Sequence, residues 1–239
     1  MIDLSRRNGR LRRIGHRGAP ALAPENTLHG FRAAIAAGVE VVEFDVVGGR
    51  RGPLLVGHSE REATEAGSEA PTLDEVLGFF AEEAREIGLH VDLKLRVRLP
   101  EVAAALARHG LAHRTVVSSW SPRALRTIGR AEPEVRLGIT YPRDRIGVAR
   151  RPGGQALSSV GLAVLRARTP RRLVGLLRRS GATAVMLHHQ LATREAVLAA
   201  HTLGAAVVVW TIDERADLAR VAAAGVDGVI TNDPRLFAD

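Results

Sequence analysis

Residues 193–231 read TREAVLAAHTLGAAVVVWTIDERADLARVAAAGVDGVIT. Thr193–Leu203 and Arg215–Ala224 carry apolar residues at helical spacing, whereas Ala206–Thr211 and Asp227–Thr231 are short β-branched runs. Gly204 and Gly225 stand between each helix and the strand after it. A helix often closes there in the left-handed conformation, which glycine adopts without a Cβ clash. Strands joined in this way through a helix run parallel, since a tight turn joins only antiparallel ones.

The same rhythm extends outward through the chain. Further strands are predicted at Arg12–His16, Val41–Val47, Leu54–His58, His90–Leu95, Thr115–Ser119, Val135–Thr140 and Ala184–His188. Further helices are predicted at Thr27–Ala37, Leu73–Ile87, Pro100–His109, Pro122–Arg130 and Pro170–Ser180. Gly38, Gly110 and Gly181 mark three more helix-to-strand joints. Thr72 with Glu75 forms a capping-box pattern. Ser121-Pro122 and Thr169-Pro170 each place a cap residue before a first-turn proline. If Leu54–His58 folds back on Val41–Val47, eight strands remain. Eight βα units predict an α/β fold, a (β/α)8 TIM barrel in one domain with a small hairpin after the second strand. Pro152-Gly153-Gly154 reads as a loop and Gln155–Arg166 as an extra helix. Residues 1–11 read as a basic N-terminal tail and 12–239 as the barrel domain, with no compositional break inside it.

A chain of 239 residues suits one such barrel, and 46% hydrophobic with 25% charged residues excludes disorder. The absence of cysteine excludes disulfide scaffolds, thiol nucleophiles and Cys-ligated zinc. Apolar runs fall far short of the ~18 residues of a spanning helix. The first 13 residues lack the apolar region of a secretory leader, so a cytoplasmic location is expected. The net charge is +8, but 33 of the 34 basic residues are arginine, a compositional bias that dilutes the charge as a functional signal. It is compatible with weak contact to an anionic surface. No helix-turn-helix, zinc module or aromatic RNA-binding motif points to specific nucleic-acid recognition. No P-loop, dinucleotide fingerprint or HExxH is present. Oligomeric state is not legible.

In such a barrel the chemistry sits at the C-terminal ends of strands. Those ends carry Gly15-His16-Arg17-Gly18, Glu43-Phe44-Asp45, Gly57-His58, Asp92-Leu93-Lys94, Ser118-Ser119-Trp120 and Trp210-Thr211. Residues two apart share a face, so Glu43 pairs with Asp45 and Asp92 with Lys94. Converging carboxylates repel unless a cation joins them, and an all-oxygen set suits a hard ion such as Mg2+ or Ca2+. Salt bridges to the plentiful arginines are the alternative for either pair. His16 and His58 each close a strand beside glycine and can exchange protons near neutral pH. His188 or His189 could also face inward. His29, His90, His109, His113 and His201 read as structural. Lys94 is the single lysine of an arginine-rich chain, a compact cation suited to a crowded anionic site. Trp120, Tyr141 and Trp210 are candidates for the pocket wall.

His16-Arg17-Gly18-Ala19, Pro24-Glu25-Asn26-Thr27, Glu43-x-Asp45-Val46 and His58, in that order, resemble the glycerophosphodiester phosphodiesterase family. Pro71-Thr72-Leu73-Asp74-Glu75-Val76-Leu77, Val209-Trp210-Thr211 and Gly225–Pro234 are similar to later segments of that family. The resemblance implies a TIM barrel that hydrolyses glycerophosphodiesters to glycerol 3-phosphate and an alcohol with one divalent cation. It implies His16 and His58 as the acid–base pair, and Glu43, Asp45 and Asp92 as metal ligands. Arg17, Asn26, Lys94 and Trp210 would serve the small-molecule phosphodiester. Three departures stand out. Asp92 replaces the usual glutamate, Ser59 replaces the aspartate that often follows the second histidine, and Gly48–Gly52 replaces the usual hairpin. The stretch from Ser59 to Ala70 is also too short for a large insertion. Two alternatives follow: a phosphodiesterase of lysophospholipids or other phosphodiesters, and a degenerate barrel that binds phosphorylated ligands without turnover.

Overall fold

The structure is a computed structural model and describes residues 1–65, 70–143 and 159–238. Nine strands are present among them. In chain order they are β1 (Arg12–Gly15), β2 (Val41–Val47), β3 (Leu55–Val56), β4 (Gly88–Leu93), β5 (Thr115–Ser119), β6 (Arg136–Tyr141), β7 (Ala184–His188), β8 (Ala206–Trp210) and β9 (Gly228–Thr231). The helices are α1 (Leu28–Ala36), α2 (Glu60–Glu65), α3 (Leu73–Glu82), α4 (Leu99–Arg108), α5 (Pro122–Ala131), α6 (Ser159–Ser180), α7 (Arg194–His201) and α8 (Arg215–Ala224). Eight strands pair in parallel, and β1 bonds to both β9 and β2, which closes the (β/α)8 barrel. β3 lies antiparallel on the end of β2, the expected hairpin.

Helix-to-strand joints behave as their glycines require: Gly38, Gly110, Gly181, Gly204 and Gly225 all have φ between 68° and 91°. Thr72 accepts from the Glu75 amide while Glu75 accepts from Thr72, completing the capping box. Ser121 caps α5 through the Ala124 amide. Ladders of Val, Ile, Leu and Ala pack outward against the helices and inward across the barrel, as expected for strands covered on both faces. The stretch before β1 is not detached from the fold. Leu4 is fully buried in the interior cluster with Ile14, Val41 and Ile230. Arg136 also donates to the Ile2 carbonyl at 3.0 Å.

Several boundaries differ from those predicted. Thr169-Pro170 does not start a helix: α6 runs through Pro170, and Thr169 Oγ1 donates to the Leu165 carbonyl at 2.8 Å. Leu162 and Leu165 before the proline and Leu173, Leu176 and Leu177 after it pack on one cluster. That shared burial outweighs the lost N–H. α3 ends at Glu82 rather than Ile87, where the Arg114 guanidinium takes the carbonyls of Phe80, Ala84 and Ile87 at 2.5–2.8 Å. The third predicted strand begins two residues earlier, at Gly88, and the hairpin strand shrinks to two residues. Of the extra helix, Ser159–Arg166 belongs to α6; Pro152-Gly153-Gly154 and residues 155–158 lie outside the described residues. The sequence reading has no counterpart for α2, whose first turn is capped by Ser59 Oγ accepting from Glu62 N at 3.2 Å.

Candidate active site

The strand ends surround a cavity of about 370 Å³. His16, Arg17, Glu43, His58, Asp92, Lys94 and Trp210 line it, together with His90, Ser118, Trp120, Thr140, Pro142, Arg143, Met186, Thr211 and Ile230. Asp45 and Asn26 lie behind this wall, with 1% and 5% of their surface exposed. His188 and His189 do not line it. The His188 ring meets Trp210 edge-on at 5.1 Å, and Arg220 donates to His189 Nδ1 at 3.2 Å.

The turn after β1 is built tightly enough to fix its side chains. Arg17 takes the left-handed φ of 49°, unusual for a residue with a Cβ. Gly18 follows at φ 87°, where an added Cβ would lie 2.7 Å from the Gly30 backbone. Arg17 N then donates to Glu43 Oε2 at 2.8 Å, joining the turn to β2.

Asp45 is the hub of the polar network. Its Oδ2 lies 2.9 Å from Arg17 Nε and 3.3 Å from His58 Nδ1, and its Oδ1 lies 2.9 Å from Lys94 Nζ. Asn26 Oδ1 accepts the Asp45 amide at 3.2 Å. Asn26 thus touches the hub rather than the cavity. Burial pushes the Asp45 carboxyl up, but Lys94, the His58 contact and Arg17 outweigh it and hold it far below the usual range. Glu43 shows the reverse: burial, then the charges of Asp45 and Asp92, push its carboxyl well above the usual range. Lys94 pairs with Asp92 as well as Asp45; burial opposes its charge, but the three carboxylates raise its pKa.

Glu43, Asp45 and Asp92 place one oxygen each within 4.8 Å of one another. Asp45 Oδ1 is buried and receives no well-directed hydrogen bond despite the nearby ammonium. A crowded carboxylate set with one acceptor left over, and with Glu43 pushed toward its neutral form, fits a hard divalent cation. The shorter Asp92 still reaches this set. The Ser118 hydroxyl donates to Asp92 Oδ1 at 2.5 Å and accepts from His90 Nε2 at 2.8 Å. Burial lowers the His90 pKa to about 4, so its ring stays neutral.

The two strand-end histidines have different partners. Asn232 donates through Nδ2 to Asp213 at 2.7 Å, which turns its Oδ1 toward His16 Nδ1, also at 2.7 Å. His16 therefore carries its proton on Nδ1 and leaves Nε2 bare, 4.0 Å from Glu43. Burial, then the Arg17 charge, lowers its pKa. His58 Nδ1 instead accepts from Arg17 Nη2 at 2.6 Å, with the Asp45 carboxylate beside it. A neutral amide holds one ring, while a guanidinium and a carboxylate hold the other. Ser118 stands among the strand-end residues without an assigned role, His90 reads as structural yet lines the cavity, and Asn232 lies beyond the strand ends considered.

The Glycerophosphoryl diester phosphodiesterase family model matches residues 16–64 and 58–236. A glycerophosphodiester phosphodiesterase of Caldanaerobacter subterraneus is 24% identical over 92% of this chain and 93% of its own. Among solved structures, a glycerophosphodiester phosphodiesterase of Agrobacterium tumefaciens superposes with a TM-score of 0.69 at 21% identity, covering 95% of this chain and 99% of that one. An Oleispira antarctica phosphodiesterase, solved with the product sn-glycerol-3-phosphate, superposes at 0.66 with 21% identity and 94% coverage of both chains. The match runs from the histidine at the end of β1 to beyond the asparagine that holds it, so this barrel belongs to the glycerophosphoryl diester phosphodiesterase family.

Proposed function

We propose that the protein hydrolyses glycerophosphodiesters to glycerol 3-phosphate and an alcohol. In this reading Glu43, Asp45 and Asp92 hold one divalent cation, Mg2+ or Ca2+, and His16 and His58 exchange the protons. The observation that carries it is the pair of imidazoles with unlike partners in one cavity with the acidic triad. Family membership and the names of the relatives support it.

A bound cation would supply Lewis acidity toward the phosphoryl oxygens. Arg17 and Lys94 would neutralise charge that moves onto those oxygens. His16 Nε2, bare and on a ring kept neutral, is the base that takes a proton from the nucleophile, either water or the neighbouring glycerol hydroxyl. His58 is the acid. Asp45 lies where it can stabilise a proton on Nδ1 once Arg17 turns to the phosphate, and the opposite nitrogen then donates to the leaving alcohol. Asn26 acts through Asp45, and Trp210 forms part of the substrate wall.

Incubating the protein with glycerophosphocholine and either Mg2+ or Ca2+ is expected to release glycerol 3-phosphate. EDTA should stop the release and added ion should restore it. No product with either ion would overturn the proposal.

Ser118 has a supporting role that can be tested without turnover. Its hydroxyl fixes Asp92 and in turn takes the His90 proton, so Ser118→Ala should free Asp92 to rotate. Partners of metal ligands usually contribute at least ~10-fold to affinity. Titration calorimetry should therefore show a loss of that size for the divalent ion. Unchanged affinity would remove Ser118 from the metal site.

A further inference from the structure

The positive charge of the chain is not spread evenly. α5 and α6 hold nine arginines and no aspartate or glutamate. Of the 34 basic residues these nine leave 25 elsewhere, set against all 26 acidic ones. The whole positive excess therefore resides on two adjacent helices. A bias toward arginine over lysine changes which cation is used, not where the carboxylates fall. α3, as long as α5, carries three acidic residues and no arginine.

These cations form a surface. Arg168, Arg171, Arg172, Arg178 and Arg179 are exposed, and their spacing puts them within roughly 120° of the α6 circumference. None of the five makes an ion pair with a described residue. Arg126 of α5 donates to the Arg179 carbonyl, which sets the arginines of the two helices side by side. Val160 and Val164, 72% and 44% exposed, lie on the same face two turns and one turn before Arg168. Arg166 donates to the Gln190 carbonyl in the loop after β7 at 2.8 Å, so this part of α6 lies near the C-terminal strand ends. At 1.5 Å per residue, Val160 stands about 9 Å further out, past the rim of the cavity. Neither helix carries an aromatic residue on which a base could stack. Exposed valines gain from entering a lipid headgroup layer and gain nothing from a phosphate backbone in water.

We propose that the α5–α6 face docks on an anionic lipid bilayer, with its arginines on lipid phosphates and Val160 and Val164 entering the headgroup layer beside the cavity rim. Docking does not depend on the phosphodiesterase reading. Co-sedimentation with vesicles tests it. The parent is expected to bind phosphatidylcholine vesicles that contain phosphatidylglycerol at about 0.1 M salt, and to be released as salt rises toward about 1 M. It should ignore vesicles of phosphatidylcholine alone. Arg171→Gln/Arg172→Gln/Arg178→Gln/Arg179→Gln should lower the partition coefficient about 10²-fold, at roughly fivefold for each arginine that reaches the headgroups. Arg10→Gln/Arg50→Gln/Arg51→Gln/Arg85→Gln removes the same charge from exposed positions elsewhere. It should lower the coefficient less than about threefold, since those charges sit beyond a Debye length from the lipid. None of the eight side chains bonds to a described residue, so both variants should keep the Tm of the parent. Val160→Ser/Val164→Ser should weaken binding about fivefold at unchanged charge.

A parent that stays in solution with the anionic vesicles overturns the proposal. So do equal losses in the two quadruple variants, which would assign binding to net charge alone. A valine pair without effect also overturns it, because an arginine face indifferent to the apolar layer has no preference for lipid. Tighter binding to a short DNA duplex than to the vesicles would assign the face to nucleic acid instead. Each readout is free of turnover, so a protein that docks but cleaves no diester sinks the hydrolase reading and leaves this one standing.

Discussion

His58→Ala is expected to hydrolyse glycerophosphocholine about 10²–10⁴-fold more slowly than the parent, the usual range for losing a general acid or base. The same variant should lose far less on bis(p-nitrophenyl) phosphate. Choline leaves as an alkoxide unless it is protonated, whereas p-nitrophenolate needs no proton. His16→Ala removes the proposed base, so it should slow both substrates alike. Burial and Arg17 keep His16 neutral below the ordinary histidine range, near pH 6.5. The acidic limb of kcat/KM should accordingly lie below that range and vanish in His16→Ala. Equal losses on the two substrates in His58→Ala would remove the acid role from His58.

Asp45→Asn should have the second large effect, on two quantities at once. One carboxylate meets Arg17, Lys94, His58 and Asn26, and it is 1% exposed. The amide keeps the shape but leaves the half-buried Arg17 and the more exposed Lys94 each with one carboxylate fewer, Glu25 and Asp92 remaining. Losing hydrogen bonds to a charged group typically costs about 1.5–3 kcal/mol. Urea unfolding in chelator should show that loss. In the parent the Asp45 carboxyl is held far below its ordinary 3.8. Its stabilisation is thus complete above that pH and fades as pH falls toward the lower, folded value. The variant should lack this acid sensitivity. Activity should fall on the order of 10³-fold or more as cation binding fails, since a bound ion contributes several kcal/mol to such reactions. A variant as stable as the parent would mean that Lys94 and Arg17 find other partners.

The barrel was legible because its signals are local. Gly204 and Gly225 mark joints that any helix-to-strand turn would need, and Val41–Val47, Thr115–Ser119 and Arg215–Ala224 match their elements residue for residue. Thr169-Pro170 shows the limit of local signals. Its cap pattern is sound, but the leucines on both sides share one buried cluster and carry the helix through. The cavity lining was legible where single strand ends carry it, as at His16, His58, Glu43, Asp92 and Lys94, but not where a contact depends on pairing between strands. Ser118 matters because the β4–β5 register sets it opposite Asp92, and a pairing register is not written in either strand alone. His90 had a readable signal: the alternation that groups Asp92 with Lys94 also includes the residue two before Asp92. Asn232 lies 216 positions from the ring it orients, and nothing short of the closed barrel brings the two together.

The unlike partners of the two imidazoles have a consequence for the catalytic cycle. On the proposed roles, direct attack by water would leave His16 with an extra proton against a neutral amide and His58 one proton short beside a carboxylate. Each ring ends in the condition the other began in, so the next cycle must wait for both to be reset. Passage through a cyclic phosphate differs, because its second half runs the transfers backward and resets the pair on its own. The rings are 19% and 28% exposed, enough for small buffer acids to perform the reset without a buried proton wire.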